Sequence, residues 1–161
     1  MQLCGVIKNR YDDATVLERP QEILVDVIGI GAGVVDRLRE QNLPVRGVNV
    51  SESSSAKKNY LNLRAELWFA IKDWLAQRDC RLPIDDELAS ELAAPLYKYT
   101  STGKIKIESK DEMRKRGIKS PDKADALALT MASSAASFSG SESVFGYNFK
   151  KPLKSRIIRV G

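Results

Sequence analysis

"EILVDVIGIGAGVVDRLREQNLPVRGVNV", residues 22–50, decides how the rest of the chain is read. Ile23 to Ile28 is nearly all apolar, the composition of a strand covered on both faces. Gly29, Gly31 and Gly33 follow, and then Val34, Val35 and Leu38 recur at helical spacing. Residues 43–50 return to strand-forming types. The segment predicts a strand over 22–28, a helix over 32–41 and a second strand over 43–50. The short loops make this one β-α-β unit, with parallel strands and a right-handed crossover.

One residue does not belong in such a strand. Asp26 has apolar neighbours on both sides, and a carboxylate is costly to bury without a partner. Its simplest role is to cap the turn that follows. The functional alternative is that it points from the carboxyl end of a strand into a cleft, where open α/β sheets bind their ligands. The glycines offer a rival. "GIGAGV" between strand and helix approaches the dinucleotide fingerprint, and Glu52 stands about where a ribose-binding acid would be. Val34 replaces the third glycine, however, and no second mononucleotide half follows.

The flanking sequence is less uniform. "QLCGVI", 2–7, reads as a short strand, and "NRYDDATVL", 9–17, as a turn into another. "SESSSAKKN", 51–59, reads as a mobile polar loop. A long helix is predicted over 60–78, with Leu63, Leu67, Ala70, Ile71 and Trp74 on one side. In it Trp74 reads as core and Trp68 as a secondary contact. Further helices are expected over 84–94 and 110–117, with a hairpin around Gly103 between them, over 96–109. The last helix, 120–136, has Ser120 as its cap and Pro121 in its first position. Asp122 and Asp125 share one face of it. Asp122 suits a helix start through the dipole. Asp125 lies within apolar "ADALALTMA" and needs a cation or hydrogen-bond donors.

Composition narrows the chemistry. The chain has 161 residues, 43% hydrophobic and 29% charged, enough for one domain with a sizeable core. It contains no histidine, which excludes His-based triads and His metal ligands. Cys4 and Cys80 are isolated, which suits a reducing compartment better than a disulfide scaffold. No apolar run approaches the ~20 residues of a membrane span, and the N-terminus lacks a signal peptide's apolar stretch. A cytoplasmic protein without membrane contact is expected. Acids without His or Cys suit Mg²⁺ or Mn²⁺, and two such ions serve phosphodiester cleavage.

Two stretches carry a family resemblance. "ILVDVIGIGAGVVDRLREQNLPVRGVNVSESS", 23–54, and "KIKIESKDEMRKRGIKSPDKADALALTMA", 104–132, resemble the C-terminal nuclease domain of tailed-phage terminase large subunits, in the same order and at similar distance. The resemblance implies an α/β, ribonuclease H-like mixed sheet flanked by helices over 22–137. It implies a metal-dependent DNA endonuclease that cuts concatemeric viral DNA during packaging. Carried over residue by residue, Asp26 and Asp125 become metal ligands and catalytic residues, and Asp122 a further candidate. The implied partners are double-stranded DNA, a packaging ATPase domain, a small terminase subunit and a portal, in the host cytoplasm.

The sequence departs from the family at its start. Where the family's first strand bears another metal-binding acid, "GVIKNRYDD" has Ile7. Residues 1–21 therefore read as a degenerate or trimmed segment, with the first strands incomplete and Asp12 or Asp13 as possible substitutes. No phosphate-binding G-x-x-x-x-G-K-[ST] occurs, so the chain does not drive translocation by itself. An inactive prophage remnant that at most binds DNA is the alternative, and a Rossmann-like nucleotide binder a third. Lys104, Lys106, Lys110, Arg114, Lys115, Arg116 and Lys119 precede the acidic helix. They form either a solvated charged surface or a phosphate-contacting rim. Residues 138–161 turn Ser/Gly-rich and then basic, a tail that is either disordered or a loose nucleic-acid contact. If the acids cluster, they repel one another without metal, so neutralising Asp26 or Asp125 should leave the metal-free fold unchanged or more stable.

Overall fold

The computed structural model describes residues 2–56, 58–78 and 80–136; side chains are described as far as residue 132. The predicted tail, 138–161, lies outside the described residues. The described residues divide into two compact units, 2–48 with 132–136, and 49–131.

The first unit is built on the β-α-β segment. Strand β1, Ile23–Asp26, pairs in parallel with β2, Val45–Val48, and Ile23 stands opposite Val45 and Asp26 opposite Val48. Helix α2, Gly31–Glu40, connects them. Both strands are shorter than the apolar runs that contain them. The N-terminal segment corrects the strand reading: Gln2–Asp13 is a helix, α1. Cys4, Ile7 and Tyr11 recur at i, i+3 and i+7, which puts them on one helical face. Cys4 and Ile7 are buried with Leu38 and Leu43, and Tyr11, Ile23, Val25, Val34 and Val45 pack around them. The short apolar run around Gly5 imitates a strand, but only the helix brings all three to one side, with Cys4 and Ile7 buried. Ile7 is thus a core residue of a helix, and no strand precedes β1 among the described residues.

The turn between β1 and α2 needs its glycines unequally. Gly29 has φ +70°, where a Cβ is strained. Gly31 is buried, and a Cβ on it would collide with the backbone carbonyl of Asp26. A Cβ on Gly33 would meet nothing within 4 Å. The close approach of α2 to the end of β1 is therefore carried by Gly31.

The second unit holds α3, Leu63–Ala76; α4, Asp86–Ala93; β3, Tyr97–Tyr99; β4, Ile105–Ile107; and α5, Lys110–Lys115. It also holds the greater part of α6, Asp122–Ala136. The hairpin β3–β4 is antiparallel, and Tyr60 adds a parallel bridge to Ile105. The described residues thus make two small two-stranded sheets, one parallel and one antiparallel, in place of the single mixed sheet expected. Buried residues here include Leu67, Trp68, Ile71, Leu88, Met113, Leu127 and Met131. Trp68 is 7% exposed and Trp74 half-buried, the reverse of the roles the sequence suggested.

Caps place the ends of these helices. Asn62 accepts from Ala65 N–H, and Asp85 from Leu88 N–H. Ser109 and Glu112 form a reciprocal capping box at α5. At α6 the chain differs from expectation. Asp125 N–H donates to the Pro121 carbonyl, while the Ser120 hydroxyl turns to the Asp122 carboxylate, 2.6 Å away.

The 51–59 loop is not simply loose. Glu66, 7% exposed on α3, accepts the Ser54 hydroxyl at 2.7 Å, Ser55 N–H at 2.9 Å, and the Ser55 hydroxyl. A buried carboxylate demands donors, and here the loop supplies them.

Candidate functional site

Asp26 is the last residue of β1 and half-buried. Its Oδ1 accepts Ile28 N–H at 3.1 Å, so the side chain caps its own turn. Asp122 and Asp125 lie in the other unit, on the first turn of α6.

Asp125 sits among donors. The Arg64 Nε and Nη2 atoms approach its Oδ1 at 3.2 and 3.1 Å, and Trp68 Nε1 donates to the same oxygen at 2.9 Å. Lys110 Nζ is 3.2 Å from Oδ2. Both partners of the guanidinium pair are largely shielded: the Arg64 side chain is 14% exposed and that of Asp125 20%. Arg64 also donates to the Glu108 carbonyl at 2.7 Å, so one guanidinium ties α3, the end of β4 and α6. It lies over the Trp68 ring, 5.7 Å from its centroid.

Lys110 bridges the two acids, since it also reaches Asp122 Oδ1 at 3.1 Å. Burial pulls the Lys110 ammonium down, but its bond to Asp122 and the charge of Asp125 outweigh this and raise it above the ordinary lysine value. The Asp122 carboxyl is held below its usual range, first by the Ser120 hydroxyl and then, against a burial penalty, by Lys110.

This geometry reverses one expectation. The carboxylate of Asp125 is surrounded by cations and donors, so neutralising it removes attraction. Sequence reasoning asked for a cation near Asp125 but did not name Arg64 and Lys110. The signal was present: Arg64 and Trp68 are four apart on α3, hence on one face of a helix rich in apolar residues. A charge in such a stretch calls for an opposite charge in another apolar helix.

Among the described residues, no group of three or more acidic or thiol side chains stands close enough to hold a metal ion. A two-ion centre needs several carboxylates around the ions. Asp122 and Asp125 instead complete their charge with this chain's own lysine and arginine. These two acids of α6 are by themselves too few for a two-ion Mg²⁺ or Mn²⁺ centre. Asp12, the possible substitute, pairs with Lys8 at 2.7 Å, and Asp13 is exposed at the end of α1.

The basic segment is largely neutralised as well. Lys106 pairs with Glu112, Arg114 with Asp111, Arg116 with Glu108 and Lys119 with Glu87. For Lys104 and Lys115 no ion pair is found among the described residues. No helix among the described residues is long and apolar enough to cross a membrane.

The arrangement matches solved structures. The nuclease domain of the large terminase subunit of bacterial virus Sf6 aligns with 80% of this chain and 68% of its own, at TM-score 0.61 and 24% identity. This chain has the fold of a viral terminase nuclease domain. A lysine-to-alanine variant of that Sf6 domain, solved with manganese and β-thujaplicinol, aligns over the same shares at TM-score 0.62 and 22% identity. One solved with calcium gives 0.60 and 23%, again over 80% and 68%. No family model matches the sequence, and no curated protein matches it. At these identities the terminase likeness is one of fold, mixed α/β with small sheets.

Proposed function

We propose that the chain is a terminase-type nuclease domain that acts on double-stranded DNA in viral packaging, with an incomplete hydrolytic centre. The observation that carries the reading is the terminase nuclease fold over 80% of the chain. The paired motifs around Asp26 and Asp125 support it. In this reading the domain works with a packaging ATPase domain, a small terminase subunit and a portal, in the host cytoplasm. Lys104 and Lys115 contact phosphates first, because the other cations of the rim must leave an acid to do so.

A second reading has its own support. The cation-filled surroundings of Asp125 and the core position of Ile7 favour a domain that binds DNA without cutting it. Supercoiled plasmid, incubated with purified protein and either Mg²⁺ or Mn²⁺, separates the two: slow nicking in Mn²⁺ marks the incomplete centre, and no nicking with either ion marks the non-cutting domain. The expected outcome is duplex binding without rapid cleavage in Mg²⁺, which demands near-ideal octahedral ligands, and at most slow nicking in Mn²⁺. Rapid Mg²⁺-dependent linearisation, abolished by Asp26→Asn, would refute the incomplete centre. Absence of duplex binding at low salt would refute the DNA-acting reading itself.

A further inference from the structure

The second unit carries a row of rings that the nuclease reading does not use. Tyr60 and Phe69 have centroids 5.5 Å apart, Phe69 and Tyr97 5.3 Å, and Tyr97 and Tyr99 6.2 Å. The row runs from half-buried Phe69 on α3 out along β3, where Tyr97 is 56% exposed and Tyr99 67%. A single exposed tyrosine needs no explanation. Two in succession, rooted through Phe69 in α3, form a ridge already fixed in place.

The charges around this ridge are arranged against the hairpin's own stability. Lys98, between the two tyrosines, stands directly across from Lys106 on β4. Like charges at facing positions destabilise a strand pair. Glu112 relieves both, 3.1 Å from Lys98 and 3.7 Å from Lys106. Lys72 lies over the Phe69 ring at 5.3 Å, and Lys104 is at the hairpin turn. Along β3 the exposed rings occupy one face of the strand and Lys98, opposite Lys106, the other, so rings and cations flank the open edge from its two sides. Among the described residues β3 has β4 on one side and no strand on the other. A lysine in the middle of such an edge discourages another protein strand from adding to it.

We propose that Tyr97 and Tyr99, with Lys98 and Lys106, form a binding platform for single-stranded DNA. Aromatic faces take unpaired bases, which a duplex does not offer, while the phosphate backbone follows the open edge of β3 and meets the lysines from the other face of the strand. Glu112 holds the lysine pair until a phosphate replaces it. The choice of polymer rests on the DNA-acting reading above, but the preference for unpaired bases is independent of duplex cleavage.

The test uses the full chain and a fluorescently labelled oligothymidine of about 20 nucleotides, with a duplex of equal length beside it. Anisotropy titrations compare wild type, Tyr97→Ala/Tyr99→Ala, Tyr97→Phe/Tyr99→Phe and Lys98→Gln/Lys106→Gln. The alanine pair should weaken single-strand binding at least about tenfold and leave duplex binding within about twofold. The phenylalanine pair should bind as wild type, which keeps the test valid if the alanine pair unfolds. The lysine pair should lower the slope of log affinity against log salt by roughly 1.4. Equal single-strand binding by the alanine pair, or no single-strand binding by wild type at low salt, overturns the proposal. So does a salt slope unchanged in the lysine variant. Self-association that disappears with the alanine pair, without oligonucleotide binding, would make the ridge a protein interface and overturn it too. Single-strand binding without duplex binding would refute the proposed function and leave this platform standing.

Discussion

Replacing Asp125 by asparagine keeps the shape of the side chain and removes its charge. The Arg64 guanidinium, 14% exposed, then loses the counter-charge that two of its donors contact. Hydrogen bonds to charged groups contribute about 1.5–3 kcal/mol and neutral ones about 1. Breaking a fully buried ion pair costs about 3–5 kcal/mol. Three features of the site reduce that figure. Asp125 is 20% exposed, Arg64 keeps its bond to the Glu108 carbonyl, and the asparagine carbonyl still accepts from Trp68. The expected loss is about 2 kcal/mol. For a chain of this size that lowers Tm by roughly 4–8 °C. The assay is thermal unfolding in EDTA at low ionic strength, with Arg64→Met and the double variant completing a cycle. The two changes should fall short of additivity by about 1–2 kcal/mol. An Asp125→Asn protein as stable as wild type, or more stable, would refute the reasoning. It would mean that the carboxylate feels other acids more than it feels Arg64 and Lys110.

Asp26→Asn should change stability by less than about 0.5 kcal/mol, since an amide oxygen still accepts Ile28 N–H, whereas Asp26→Ala should cost about 1 kcal/mol; urea unfolding of both checks this, and equal losses would show that the charge matters. Gly31→Ala should destabilise by more than about 2 kcal/mol, because backbone blocks its Cβ, while Gly33→Ala on exposed helix should gain about 0.5–1 kcal/mol. Similar midpoints for those two variants in a melt would refute the unequal roles of the glycines. The Glu112 carboxyl titrates at about 2 in the folded chain against its ordinary 4.5, through Ser109 N–H first and then Lys98. A depressed carboxyl contributes stability that is complete above its ordinary value and is lost as pH falls through about 2. Glu112→Gln should therefore flatten the stability curve between those two values, and acid unfolding identical to wild type would refute it.

The sequence alone determined the local elements whose periodicity has one solution. "ILVDVIGIGAGVVDRLRE" allows only a strand, a tight turn and a helix, and β1, α2 and β2 follow it in parallel register. The hairpin around Gly103 and the helices after Asp85 and Ser109 were legible from the same kind of pattern, because caps and turns are written in neighbouring residues. Where a short stretch fits two periods, the sequence misled. "QLCGVI" reads as a strand by its apolar run, whereas the wider Cys4–Ile7–Tyr11 spacing fits a helix, and only burial against Leu38 and Leu43 selects the helix. The state of the acidic helix lay further still from sequence reach. Asp125 and Arg64 are 61 residues apart. Whether such a carboxylate meets a metal or a guanidinium depends on which distant side chains the fold delivers within about 3 Å, the range of a hydrogen bond. The positions of the acids were written in the chain. Their partners were set by tertiary packing, because charge in a shielded site is satisfied by whatever the surrounding elements bring to it.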